Sequence, residues 1–206
     1  MMPKATFFNL SEEKRQKIIE AAVSEFAKKN YHQASINSIV RAASIPKGSF
    51  YQYFGDKKDL YRHIINLAYH KKMEIMARLM TDKGGESIFS LLRNMIDAGV
   101  EMAKTNPELS QITSRMMSDR PLYKEIMDEY EERSFEFMKE LVNKGVAQGD
   151  ITDRIDPKLA TRFVLMAMRS ITEEVSASGY LSLDRVSETL HSFVDIIENG
   201  LRRRTT

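Results

Sequence analysis

The sequence predicts an all-α protein of about nine helices. Apolar side chains recur three and four residues apart along almost the whole chain, the spacing that lines one face of a helix. No stretch sustains the alternation of a half-buried strand. Each periodic run stops at a glycine, a proline or a small polar cap.

The first helix is expected over about residues 11–29, with Ile18, Ile19, Ala22, Val23 and Phe26 as its apolar stripe. Ser11 can cap it, and Glu12 and Glu13 favour its positive end. A shorter helix follows Ser35, another good cap, with Ile36, Ile39, Val40 and Ala43 inward until Ser44-Ile45 breaks it. Pro46, suited to a first helical position, opens a third through about Tyr53. Gly55-Asp56 ends that one and caps a long fourth, from Lys57 to about Met80, closed by Lys83-Gly84-Gly85.

The fifth helix runs from Ser87 to Lys104 and stops at Asn106-Pro107; the sixth runs from Pro107 to about Met117 and stops near Asp119-Arg120-Pro121. Leu122 to about Ala147 is the seventh, ended by Gly149-Asp150. Asp156-Pro157 supplies a cap and a first-turn proline for the eighth, which reaches about Ser178 before Gly179 terminates it. Asp184 is expected to cap the last, to about Arg203.

At 206 residues and 42 % hydrophobic, the chain can bury a sizeable core in one or two domains. Its longest apolar run, Phe163 to Met168, is far short of the ~20 residues a membrane span needs. The first residues have neither a long apolar run nor a small-residue cleavage site, so a cytoplasmic location is expected. The absence of cysteine removes disulfides, thiolate metal sites and thiol nucleophiles.

The net charge of +2 hides an asymmetry: residues 1–60 carry +4 and the remainder −2. Between Glu25 and Asp56 there is no carboxylate, whereas Lys28, Lys29, Arg41 and Lys47 fall inside and Lys57 and Lys58 follow at once. A local cationic surface of this kind suits phosphate. Lys28 and Lys29 have a simpler reading, as solvated cations at a helix C-terminus.

Three helices of falling length, the last two joined by a tight turn, have the proportions of a helix-turn-helix, whose last helix enters the major groove of DNA. Pro46-Lys47-Gly48-Ser49 places a cation, a residue without a side chain and a hydroxyl where that helix begins. Gln52 can pair bidentately with adenine, while Tyr51 and Tyr53 suit phosphate oxygens; Phe50 and Phe54 are the inward face.

The run from Ser35 through Leu60, SINSIVRAASIPKGSFYQYFGDKKDL, resembles the DNA-binding segment of the TetR family of bacterial transcriptional regulators. Ser35 stands for that family's capping threonine, Ile39 for an isoleucine of its second helix and Lys47-Gly48 for its Lys-Gly; Tyr51, Phe54, Lys57 and Leu60 match outright. Ser44, Pro46 and Tyr53 depart from a usual glycine, serine and histidine. DNA contacts are accordingly expected from Ser35, Lys47, Gly48, Ser49, Tyr51, Gln52, Tyr53 and Lys57.

The resemblance further implies a head at 1–56, an effector-binding and dimerisation domain at 57–206, and release of DNA when a small molecule binds. From the helices that build the family's pocket, Met102, Met116, Tyr123, Met127, Phe135, Phe163, Met166 and Arg169 are expected to line it. Methionine-rich walls adapt to several ligand shapes, although core packing is the simpler account of thirteen methionines. Such a lining suits an apolar or amphipathic effector.

Along the last helix Val186, Leu190, Phe193, Val194, Ile197 and Leu201 form one stripe, and the preceding helix offers small residues at Ala160, Ala167 and Ser170. Two copies of this pair would make a two-fold four-helix interface, so Ala160, Ala167, Val186, Leu190, Phe193, Val194 and Ile197 are expected at a homodimer contact. A helix packed only on its own domain would show the same stripe. Arg202-Arg203-Arg204 reads as a solvated end.

No enzyme is expected. Ser44-Ile45-Pro46-Lys47 matches a bare Ser-x-x-Lys, but neither Ser-Asp-Asn nor Lys-Thr-Gly follows. His63 and His70 are ~10 Å apart along a helix, too far to share one ion, so neither a metal nor another cofactor is expected. The same head would also serve an activator, or a nucleoid-associated or protein-interaction factor indifferent to metabolites.

Overall fold

The computed structural model describes residues 3–79, 87–177 and 182–202. Among them it contains ten helices and no strand: α1 (Ala5–Phe8), α2 (Glu12–Lys28), α3 (Ile36–Ala42), α4 (Lys47–Tyr53), α5 (Lys57–Leu79), α6 (Ile88–Thr105), α7 (Pro107–Ser118), α8 (Arg120–Gln148), α9 (Pro157–Ala177) and α10 (Leu183–Leu201). The expected breaks at Lys83-Gly84-Gly85 and Gly179, the end at Arg203, and Arg204 lie outside the described residues.

The additional helix is α1, a single turn too short for any apolar period to reveal. The other boundaries follow local chemistry. Ser11 Oγ accepts the Lys14 N–H at 3.4 Å, Asp119 caps α8 through Leu122 N–H at 3.2 Å, and Gly149 ends α8 with φ of 83°. At α10 the cap is Ser182, which accepts from Arg185 N–H at 3.4 Å; Asp184 instead sits in the first turn, where its charge suits the dipole.

The turn between α3 and α4 is a Schellman motif. Ile45 N–H donates to Val40 O at 3.0 Å and Ser44 N–H to Arg41 O at 3.2 Å, with Ser44 left-handed at φ 54°. This conformation accounts for the glycine usual at that place in the family pattern: Ser44 adopts it with a Cβ, at a cost of about 1 kcal/mol.

The chain forms two compact units, Met1–Lys72 with Met102–Met116, and Met73–Glu101 with Met117–Thr206. In the first, α2 buries Ile18, Ala22 and Phe26, α3 buries Ile39 and Val40, and α4 buries Phe50, followed by buried Phe54. The α5 residues Leu60, Tyr61 and Ile64 are buried with them, and the Tyr61 ring lies 4.9 Å from Phe26. Residues 102–116 belong here as well: Arg115 donates to Ala27 O at the end of α2. Gln111, with its amide turned to satisfy both neighbours, donates to the same carbonyl at 2.9 Å.

Two carboxylates start α5 with a variant of the capping box. Asp59 N–H donates to Asp56 Oδ1 at 2.8 Å, and Asp59 Oδ2 accepts from Gly55 N–H at 2.9 Å. A Cβ on Gly55 would lie 2.5 Å from Asp59 Oδ2, so a larger residue there would have to displace that carboxylate.

His63 packs edge-on against Phe7, 5.4 Å between ring centres, and burial holds its pKa below the usual histidine value. The unfolded chain therefore takes up this proton first. His63 contributes full stability above about pH 6.5 and loses it progressively as pH falls through the lower folded value. The urea midpoint should fall between pH 7.5 and 5.5, and His63→Phe should reduce that fall; an unchanged pH dependence would remove His63 as its source.

In the second unit, α6, α8, α9 and α10 enclose a core that includes Phe89, Leu92, Val142, Val164, Val194 and Ile197. Arg93 ties α6 to α10 through Asp195 and Glu198, both at 2.6 Å, and His191 meets Asp97 at 2.8 Å. Arg202 also departs from a purely solvated role: it pairs with Glu198 and stands over the Phe89 ring at 5.8 Å.

Candidate nucleic-acid interface

Phe50 and Phe54 anchor α4 inward, which leaves Lys47, Gly48, Tyr51 and Gln52 exposed on the opposite face at spacing i, i+1, i+4 and i+5. Tyr51 is 45 % exposed although it is a large aromatic residue. Ser49 and Tyr53 are half-buried at the edge of this face, and the Tyr53 ring lies 6.4 Å from Phe7.

Two expected contacts are arranged differently. The Lys57 ammonium donates to Tyr31 O at 2.7 Å, Ala34 O at 2.9 Å and His32 O at 3.3 Å, and lies 4.6 Å from the Tyr31 ring centre. All three protons are committed to the loop between α2 and α3, and burial pushes its pKa down. This geometry assigns Lys57 to closing that loop rather than to a phosphate. Ser35 makes no side-chain cap on α3; its N–H donates to Glu25 Oε1 at 3.0 Å. Burial opposes ionisation of Glu25, but that N–H and the Lys29 ammonium at 2.8 Å together hold its carboxyl below the usual range. Lys29 is thus a paired surface cation.

The expected effector residues fall into separate groups. Met102 and Met116 are buried within the first unit, while Tyr123, Met127, Phe135 and Arg169 belong to the second. Arg169 stands over the Tyr123 ring at 5.0 Å, which brings one pair of the set together. Phe163 and Met166 are 49 % and 70 % exposed and form no enclosed lining in the protomer.

The expected dimer residues mostly face inward. Ala160, Val194 and Ile197 are in the second unit's own core, Ala167, Leu190 and Phe193 pack against it, and Val186 is half-buried. The stripe on α10 is a core face. Among the described residues of α9 and α10, the exposed large apolar positions are instead Leu159 at 61 %, Phe163 and Met166, spaced i, i+4 and i+7 on α9, with Leu183 and Ile196 on α10. Among the described residues no cluster of three His, Asp or Glu could hold a metal, and no helix is long and apolar enough to cross a membrane.

A short helix that projects polar and cationic side chains from a Schellman turn, above an aromatic core, defines a helix-turn-helix DNA-binding protein. Comparison with known proteins gives the family. The pattern of "Bacterial regulatory proteins, tetR family" matches residues 18–64, and that of the "Tetracyclin repressor-like, C-terminal domain" matches residues 86–202. A TetR family transcriptional regulator from Chloroflexus aurantiacus J-10-FL is 31 % identical, superposes with a TM-score of 0.69, and the match covers 99 % of this chain and 100 % of that one. The uncharacterized HTH-type transcriptional regulator YvdT of Bacillus subtilis is 26 % identical over 174 residues, 84 % of each chain. The fatty acid metabolism regulator protein of the same organism is 25 % identical over 167 residues, 73 % of this chain and 77 % of that one.

The chain belongs to the TetR family and is a DNA-binding transcriptional regulator, not an enzyme.

Sequence reasoning missed the partners of Lys57, because a lysine that opens a helix beside a basic run reads as a phosphate ligand. It also assigned nothing to residues 3–8, which carry no periodic signal.

Proposed function

We propose that the protein is a homodimeric, cytoplasmic repressor that binds operator DNA through α4 and is released by an apolar or amphipathic small molecule. The exposed face of Lys47, Gly48, Tyr51 and Gln52 opposite Phe50 carries this reading. In it, Gln52 reads a base edge, Lys47 and Tyr51 contact phosphates, and Gly48 lets the backbone approach. Ser49 and Tyr53, half-buried at the edge of this face, and Ser35, at the start of α3, are further polar contacts in this reading.

Functionally the chain divides at residue 56, into a reading head and an effector and dimerisation domain. The α5 helix, whose residues fall in both compact units, is the covalent route between them. Tyr123 and Arg169 supply an aromatic face and a cation, suited to an amphipathic molecule, and Met127 and Phe135 of the same unit add apolar wall. The relative named for fatty acid metabolism supports an amphipathic effector. The partner subunit is a second copy seated on Leu159, Phe163 and Met166, because a monomer would leave this apolar row in water.

The test is binding to a duplex enriched from random sequence by the full-length protein. Gln52→Ala should weaken it by about 1–3 kcal/mol and relax selection at one position, whereas Lys47→Ala should weaken all sequences alike and lower the salt slope by about one. Lys57→Met should lower the melting temperature and leave the salt slope unchanged. Specific binding within twofold of wild type in both the Gln52 and Lys47 variants would refute α4 as the reading element.

A further inference from the structure

The seven-residue α4 is too short to hold itself in place, and its last carbonyls have no donor within the helix. Phe54 N–H satisfies Phe50 O at 2.9 Å, which leaves the carbonyls of Tyr51, Gln52 and Tyr53. Each of the three is met by Lys4 or Thr6, more than forty positions earlier in the chain. Lys4 Nζ donates to Tyr51 O at 2.7 Å, Thr6 Oγ1 donates to Gln52 O, and Lys4 N–H donates to Tyr53 O at 2.8 Å.

The same segment is fastened on its other side. Pro3 and Phe7 are buried, the Phe7 ring lies 4.9 Å from Phe54 and 5.4 Å from His63, and Arg15 Nη1 donates to Phe8 O at 2.7 Å. Residues 3–8 therefore join the end of α4 to α2 and α5 without belonging to the helix-turn-helix itself.

We propose that residues 3–8 are a brace for the recognition helix: Lys4 and Thr6 close its C-terminal carbonyls and set the angle at which Tyr51 and Gln52 meet DNA. Lys4 and Thr6 are positioning residues, acting through α4 rather than by touching a base. The proposal rests on the reading of α4 as the DNA-reading element. A cation at a helix C-terminus is favoured by the dipole, so the Lys4 ammonium is in a stable place before DNA arrives. Fixing the backbone beside Gln52 matters because a bidentate base contact tolerates little rotation of the side chain that makes it.

The experiment uses the full-length protein, the duplex enriched by wild type, and a scrambled duplex of equal length and composition. Thr6→Val keeps shape and loses the hydroxyl; Lys4→Met keeps most of the length and loses the ammonium. Each should reduce affinity for the enriched duplex by about tenfold, the loss expected for one hydrogen bond. Affinity for the scrambled duplex and the salt slope should stay at the wild-type values, and Thr6→Ser should restore binding. These readouts separate positioning from general stability, because an unstable head would lose both duplexes together. A salt slope lowered by about one in Lys4→Met, with the ratio of the two affinities kept, would make Lys4 a phosphate ligand and overturn the brace. Ratios within twofold of wild type in both variants would overturn it while leaving α4 as the reader. Failure of wild type to enrich any sequence would overturn both readings.

Discussion

Phe54→Ala is expected to remove about 3–5 kcal/mol of folding stability from the first compact unit. The side chain is fully buried, its ring 4.9 Å from Phe7 and 5.4 Å from Phe50, so truncation opens a cavity among rings that cannot collapse into it. A domain's whole stability is about 5–15 kcal/mol, so the variant should retain little margin at 37 °C. Its urea midpoint should drop sharply, and DNA binding should be lost in parallel with the folded fraction. Phe54→Leu fills most of the space and should lose roughly a third as much. A Phe54→Ala protein with an unchanged midpoint would show that this aromatic cluster does not hold the head together.

Phe163→Glu is expected to convert the protein from dimer to monomer and to lower affinity for the enriched duplex by at least about a hundredfold. A stable interface buries on the order of 1,600 Å² around a dry apolar centre, and a charge placed there must be desolvated without a partner. Losing the dimer leaves each head with one half-site, so phosphate contacts and base contacts fall together. Sedimentation at micromolar concentration reads the mass directly. Ile197→Ala is the matched control: Ile197 is buried in the protomer's own core, so truncation should cost about 2–5 kcal/mol of stability while the native protein keeps its dimer mass. The opposite pattern, a monomer from Ile197→Ala and a dimer from Phe163→Glu, would return the interface to the α10 stripe.

The contrast between those variants shows where the sequence was legible. Helix positions were readable because their signals are local: Ser11, Asp119 and Gly149 act on groups within a few residues of themselves. The two faces of α4 were readable for the same reason, since Phe50 and Phe54 buried on one side leave Lys47, Tyr51 and Gln52 exposed on the other. Amphipathicity identifies a buried face but not what buries it. The α10 stripe therefore suited a partner as well as its own core, and the packing of Val194 and Ile197 decided for the core. Phe163 and Met166, expected in an effector pocket, are exposed in the protomer, because apolar residues in a run say nothing about which of them face outward.

Lys57 and residues 3–8 mark the same limit in polar chemistry. A lysine's three donors can serve phosphates or carbonyls, and only the fold brings Tyr31, His32 and Ala34 within reach. By itself the sequence determined an all-helical chain, the order and ends of most helices, and which face of a short helix stays polar and exposed, all consequences of interactions over one or two turns. Tertiary structure alone decided which apolar stripe is core, which apolar residues stay exposed on the protomer, and which distant residues close the end of α4. Those outcomes depend on contacts between residues far apart in the chain, and local periodicity and capping carry no record of them.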